Sequence, residues 1–220
     1  MTRIVFDKNL ADLTDGVLEM GSMVEQAIQR AVLSLRERDV ETAKEVIAQD
    51  DAIDTKRFEL EDRIVELIAT QQPMAQDLRT IVSLLHITSE LERMGDYAEG
   101  IAKINVMMGE EPLLKPLIDI PRMSDLATGM LRGSLDALVE RDVEAAKRVW
   151  RSDDEVDSLY DEVYKELLGF MIEDPKTITR ATWLLWVAHD IERIADRATN
   201  IAERVVFLVT GRMVEASALR

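Results

Sequence analysis

The sequence predicts an all-α protein: two tandem, sequence-related three-helix bundles, built from six long antiparallel helices. Three observations carry this. The composition is 32% charged and 47% hydrophobic with only nine glycines and five prolines, which favours amphipathic helices over turn-rich sheet. Apolar residues recur in steps of three and four over long stretches. The second half also repeats the first. Residues 35–54 and 138–157 are identical at 12 of 20 positions, at an offset of 103 residues.

The elements follow in order. A first helix is expected from near Lys8, its apolar face running through Leu10, Leu13, Val17, Met20, Val24, Ile28, Ala31 and Leu35. After a short break at Arg38-Asp39, a second spans about Val40 to Thr70, ended by Gln71-Gln72-Pro73, since the residue before proline avoids the helical region. A third runs from about Met74 to Met108. Three of the five prolines, at 112, 116 and 121, then mark a linker. The fourth helix covers about Arg122 to Arg141 and the fifth Asp142 to Glu173. The sixth covers Lys176 to Val209, with Gly211 as its stop signal. The expected organisation is a first repeat over 1–110, a linker over 111–121 and a second repeat over 122–220.

Charge and residue usage exclude several functions. A net charge of −16 argues against nucleic acid, which needs a basic surface, and against anionic lipid. With no cysteine there is no disulfide or thiolate metal site. No apolar run reaches the length of a membrane span, and Met1-Thr2-Arg3 meets a charge too early for a signal peptide. A cytoplasmic protein without membrane insertion is expected. No phosphate-cradling glycine loop or GxSxG elbow is present. His86 and His189 follow Ser83 and Trp186 rather than the glutamates of a di-iron oxidase.

The candidate site is acidic. Each repeat carries two pairs of carboxylates four residues apart: Asp50/Asp54 and Glu92/Asp96, then Asp153/Asp157 and Glu192/Asp196. On a helix this spacing stacks like charges on one face at a cost of a few tenths of a kcal/mol per pair, which a cation would offset. Antiparallel neighbours could set two pairs face to face, making an oxygen-rich patch suited to Fe³⁺, Mn²⁺, Mg²⁺ or Ca²⁺. Zinc becomes suitable where His189, three residues before Glu192, adds nitrogen. Asn200, four after Asp196, extends the row. Against this stands the commoner use of helical acids as solvated faces, with Arg93, Arg193 and Arg197 available to neutralise them. Retention of the same acids in both repeats favours a function, because solvated charges drift. Gly95 and Gly100 read as points of close helix approach. Trp183 and Trp186 read first as core and second as a partner-binding patch.

The doubled pattern Glu-Arg-x-x-Asp-x-x-x-x-Ile-Ala, at 92–102 and 192–202, resembles the PhoU family of phosphate-signalling regulators. So does the doubled three-helix unit, over nearly the whole chain. The resemblance implies a cytoplasmic, non-enzymatic, often homodimeric regulator of phosphate uptake and starvation signalling. Its implied partners are the ATPase subunit of a phosphate ABC transporter and a sensor histidine kinase. It also implies metal ions on E/D-x-x-x-D motifs, iron first, with zinc, manganese and magnesium as alternatives. The matching positions are Asp50, Asp54, Glu92, Asp96, Asp153, Asp157, Glu192 and Asp196. Ser89 against His189 and Gly100 against Asn200 depart from equivalence between the halves. The alternative is a metal-dependent enzyme or a metal-storing bundle on the same clusters.

Overall fold

The structure, a computed structural model, describes residues 3–109 and 111–213. Met1, Thr2 and Glu110 of the first repeat and residues 214–220 of the second lie outside the described residues. Among those described there are six long helices and no strand: α1 (Arg3–Glu37), α2 (Val40–Gln71), α3 (Gln76–Met108), α4 (Asp119–Glu140), α5 (Val143–Glu173) and α6 (Ile178–Thr210). A 3₁₀ turn, Pro175–Thr177, leads into α6. None of the helices is long and apolar enough to cross a membrane.

Local chemistry sets the turns. Asp39 and Asp142 are repeat-equivalent N-caps. Asp39 accepts from Thr42 N at 3.0 Å, and Asp142 Oδ1 from Glu144 N at 2.8 Å and Ala145 N at 3.0 Å. Each follows an arginine in the left-handed region, Arg38 (φ 59) and Arg141 (φ 53), which closes the preceding helix. The shared Glu-Arg-Asp-Val-Glu segment is therefore a conserved turn between repeats and not a site.

Two starts differ from expectation. α1 begins at Arg3, where Arg3 Nη1 pairs with Asp77 Oδ2 at 2.6 Å and Phe6 enters the core. α4 begins at Asp119, three residues early, because Pro121 falls in a first turn whose N–H groups lack helical partners anyway. The preceding segment is tied down. Lys115 pairs with Asp119 at 3.0 Å and with Glu166 of α5, and Leu117 is buried.

Within each repeat the middle helix, α2 or α5, packs on the outside of its two neighbours. The other four form the centre: α1 lies against α3 and α4, and α6 against α3 and α4. At the α1–α4 crossing, a Cβ on Gly21 would sit 2.3 Å from Leu135 Cδ1, so a larger residue would have to push the Leu135 side chain aside. The α3–α6 crossing is antiparallel and nearly reciprocal. Glu90 of α3 meets Asn200 and Arg197 of α6, while Asp190 of α6 meets Gly100 of α3. Buried side chains form one continuous apolar core through both repeats, from Leu13 and Ile64 to Val163 and Val205.

Candidate metal centre

The hairpins α2–α3 and α5–α6 each bring their two acidic pairs together along an outer seam. In the first repeat, Gly95 makes this close: its Cβ would lie 3.2 Å from Ile53 Cδ1 and 3.4 Å from Asp50 Oδ1. Asp50 and Asp54 of α2 thereby face Glu92 and Asp96 of α3. Burial, with Glu99, Asp96 and Asp54 nearby, pushes the Asp50 carboxyl up to about 6. Burial also raises Asp96, with Asp54 and Glu99 adding to it, and raises Glu92, with Asp96 adding. Glu99 belongs to this cluster although its spacing did not single it out. It lies three residues past Asp96, on the same face, and shares with Asp50 the lining of a cavity of about 160 Å³ walled by Met23, Ala27, Val46 and Ile53. Arg57 was also missed. It lies three residues after Asp54, and its guanidinium bridges Glu92 Oε1 and Glu61 Oε1, both at 2.8 Å.

In the second repeat Tyr160 stands where the first has Arg57, and Arg193 supplies the cation instead. Asp153 and Asp157 of α5 face Glu192 and Asp196 of α6. Burial, followed by repulsion from Asp157, Asp196 and Glu192, pushes the Asp153 carboxyl up to about 7. Its Oδ1 is buried without a hydrogen-bond partner among the described residues. Arg193 covers the α6 side, 2.8 Å from Asp196 Oδ2 and 3.0 Å from Glu192 Oε2. Its Nε–H donates instead to His189 Nδ1 at 3.4 Å, so Glu192 Oε2 is ion-paired yet unbonded. His189 lies at the edge, 3.5 Å from Glu192 and with its ring 6.4 Å from that of Tyr160.

Asn200 does not extend the row. Its amide donates to Glu90 Oε2 of α3 at 3.0 Å. Each step of four residues turns the helix about 40° past a full turn, so eight residues beyond Glu192 the row has rotated from α5 towards α3. Arg197 is likewise spent on Glu90, at 3.3 Å, and not on the acidic pairs. The repeat-equivalent of Glu90, Asp190, meets Gly100, and no arginine or lysine among the described residues pairs with it; burial pushes its carboxyl up to about 6. Trp183 packs against the core and Trp186 stands exposed.

The donor set, carboxylates with one imidazole, is that of a hard or borderline cation. Asp153 Oδ1, buried and without a hydrogen-bond partner among the described residues, could accept a cation, and in that respect the second seam fits a metal. As the side chains stand, no three His, Asp or Glu among the described residues converge on one point. Arg57 pairs with Glu92, and Arg193 with Glu192 and Asp196.

The PhoU domain model matches residues 17–104 and again 120–205. A phosphate-specific transport system accessory protein PhoU homolog of Clostridium acetobutylicum is 39% identical over 98% of this chain and 99% of its own length. The Aquifex aeolicus protein of the same description is 41% identical over 94% of both. The crystal structure of PhoU from Pseudomonas aeruginosa superposes with a TM-score of 0.90 at 33% identity, covering 94% of this chain and all of that one. With two matched domains, near-complete relatives and the same six-helix architecture, this chain belongs to the PhoU family.

Proposed function

We propose that this chain is a non-catalytic regulator of phosphate uptake and phosphate-starvation signalling, and that its two acidic seams are its working faces. Relatives of matching length are described as accessory proteins of a phosphate-specific transport system, and that supports regulation over catalysis. On this reading the protein works in the cytoplasm, as a homodimer. It links the ATPase subunit of a phosphate ABC transporter to a sensor histidine kinase.

The observation that carries the reading is the pairing of two carboxylate pairs across each hairpin, with Asp153 and Asp50 pushed to about 7 and 6. A fold gains nothing in stability by burying like charges. Such clusters are kept for a cation, either an ion or a basic partner surface. Asp153, Asp157, Glu192 and Asp196, with His189 at the edge, would hold metal in the second seam. Asp50, Asp54, Asp96 and Glu99 would hold it in the first, with Glu92 released from Arg57. Iron is the first expectation, then zinc, manganese or magnesium. The ion would supply the positive charge that the seam lacks.

The test is binding of the purified ATPase subunit and of the kinase's cytoplasmic part, read by calorimetry. Joint Glu192→Lys and Asp196→Lys substitution should weaken at least one partner tenfold or more while the helical content is unchanged. Unaltered affinity for both would overturn the reading.

A further inference from the structure

We propose that the cavity between α1, α2 and α3 of the first repeat binds a short aliphatic primary amine as its ammonium ion. The charged head lies between Asp50 and Glu99, and the hydrocarbon tail along Met23, Ala27, Val46 and Ile53. This goes beyond the regulatory reading and does not rest on it.

Residues of all three helices line one cavity of about 160 Å³: Met23 and Ala27 from α1, Val46, Asp50 and Ile53 from α2, and Gly95 and Glu99 from α3. Close-packed interiors leave few voids larger than a water molecule. An apolar cavity of about 150 Å³ takes a benzene-sized guest, so this one has room for a chain of about five carbons. Gly95 keeps the space open. A Cβ there would lie 3.2 Å from Ile53 Cδ1 and 3.4 Å from Asp50 Oδ1, against both the hydrocarbon wall and the carboxylate.

The charged groups on the cavity wall are both acidic. Asp50 is half-buried and, among the described residues, makes no hydrogen bond or ion pair. Of the carboxylates around it, Glu99 repels it most. Glu99 meets one cation, Lys103, whose Nζ lies 2.5 Å from Oε2 and which does not line the cavity. Two carboxylates beside a single lysine leave negative charge in excess, so the head of the guest is a cation, and the apolar walls call for hydrocarbon behind it. A metal ion would use the carboxylates and leave the α1 wall unfilled.

The second repeat serves as an internal control. Met130 stands where the first repeat has Ala27, Ala195 where it has Gly95, and Thr199 where it has Glu99. Met130 is buried, and the Thr199 hydroxyl donates to Asp196 O at 2.7 Å. The opening lined by Met130 and Val149 is formed by α4 and α5, with no residue of α6. The amine site therefore belongs to the first repeat.

The probe is n-pentylamine, titrated against the full chain by saturation-transfer NMR with a metal chelator present, beside methylamine, pentanol and pentanoate. Saturable binding of pentylamine, tenfold or more tighter than that of the other three, is expected. Ala27→Met, which copies the second repeat and leaves the acids in place, should weaken it tenfold or more with helical content unchanged, and so should Glu99→Gln. Equal binding of methylamine makes the acids the whole site, and equal binding of pentanol makes the apolar walls the whole site; either overturns the proposal. So does the absence of saturable binding at millimolar pentylamine, or binding untouched by both variants. Equal binding of Nα-acetyl-lysine amide assigns the cavity to a lysine of a protein partner and also overturns it. The ligand series on the unaltered chain decides even if a variant does not fold. Partner binding and its loss in Glu192→Lys/Asp196→Lys are read separately, so failure here leaves the regulatory reading standing.

Discussion

Asp153 carries the largest conflict between position and charge in the molecule's acidic seams. Its carboxyl titrates near 7 when folded, against the ordinary 3.8 when unfolded. At this group folding carries no charge penalty below about 4, where both states hold the proton; the penalty builds as pH climbs from about 4 to about 7, where only the folded form holds it, and above that the full cost of the buried charge remains. Asp153→Asn should therefore raise the melting temperature at pH 8 by about 2 °C or more, with the gain fading towards pH 4; a gain independent of pH would contradict this. A second residue-scale contrast concerns the left-handed arginines. Among the described residues Arg141 makes no side-chain hydrogen bond or ion pair, so Arg141→Gly should stabilise by up to about 1 kcal/mol. Arg38 donates to Asn105 Oδ1 at 3.0 Å and to the carbonyls of Gly109 and Glu111, so Arg38→Gly should destabilise. Thermal melts of the two variants decide it. At this scale the sequence was a good guide to the acids, because their spacing and duplication are one-dimensional signals. It misled at Asn200, where the slow rotation of an i, i+4 row decides which neighbour a side chain meets. It was silent on Arg57, whose importance depends on what lies across the seam.

Among elements, the repeat predicted six helices and their order. The boundaries moved where tertiary ties extend a helix, as Arg3–Asp77 does for α1, or where proline sits in a tolerant first turn, as Pro121 does in α4. Helix crossings were partly legible: Gly95 and Gly100 do mark close approaches, to Ile53 and Asp190. Gly21 gives the clearest test. Gly21→Ala, which drives a methyl into Leu135 at the α1–α4 crossing, should cost about 1–3 kcal/mol by overpacking. Gly169→Ala, in α5 with open space around it, should gain about 0.5–1 kcal/mol from reduced chain entropy. Urea titrations showing equal effects would contradict the packing described.

For the whole molecule, the continuous core across α1, α3, α4 and α6 joins the two repeats into one packing unit, with α2 and α5 on the outside. That arrangement leaves the two acidic seams on separate hairpins, each completed by one outer and one central helix. The pairing of the acids across those hairpins could be anticipated from sequence only as an option, since the facing of two helices is a three-dimensional fact. The asymmetry between seams, Arg57 against Tyr160 and Ser89 against His189, gains its meaning only once they face each other.

The most direct measurement is elemental analysis of the untagged protein beside a variant with Glu92, Asp96, Glu192 and Asp196 all changed to Ala. Bound iron, manganese or zinc at one or more equivalents, lost in the variant, together with a melting temperature at pH 8 that falls when the metal is chelated, is the result expected of seams kept for cations. A native protein that is empty, takes up none of these metals when they are added, and melts at the same temperature with or without them would contradict it.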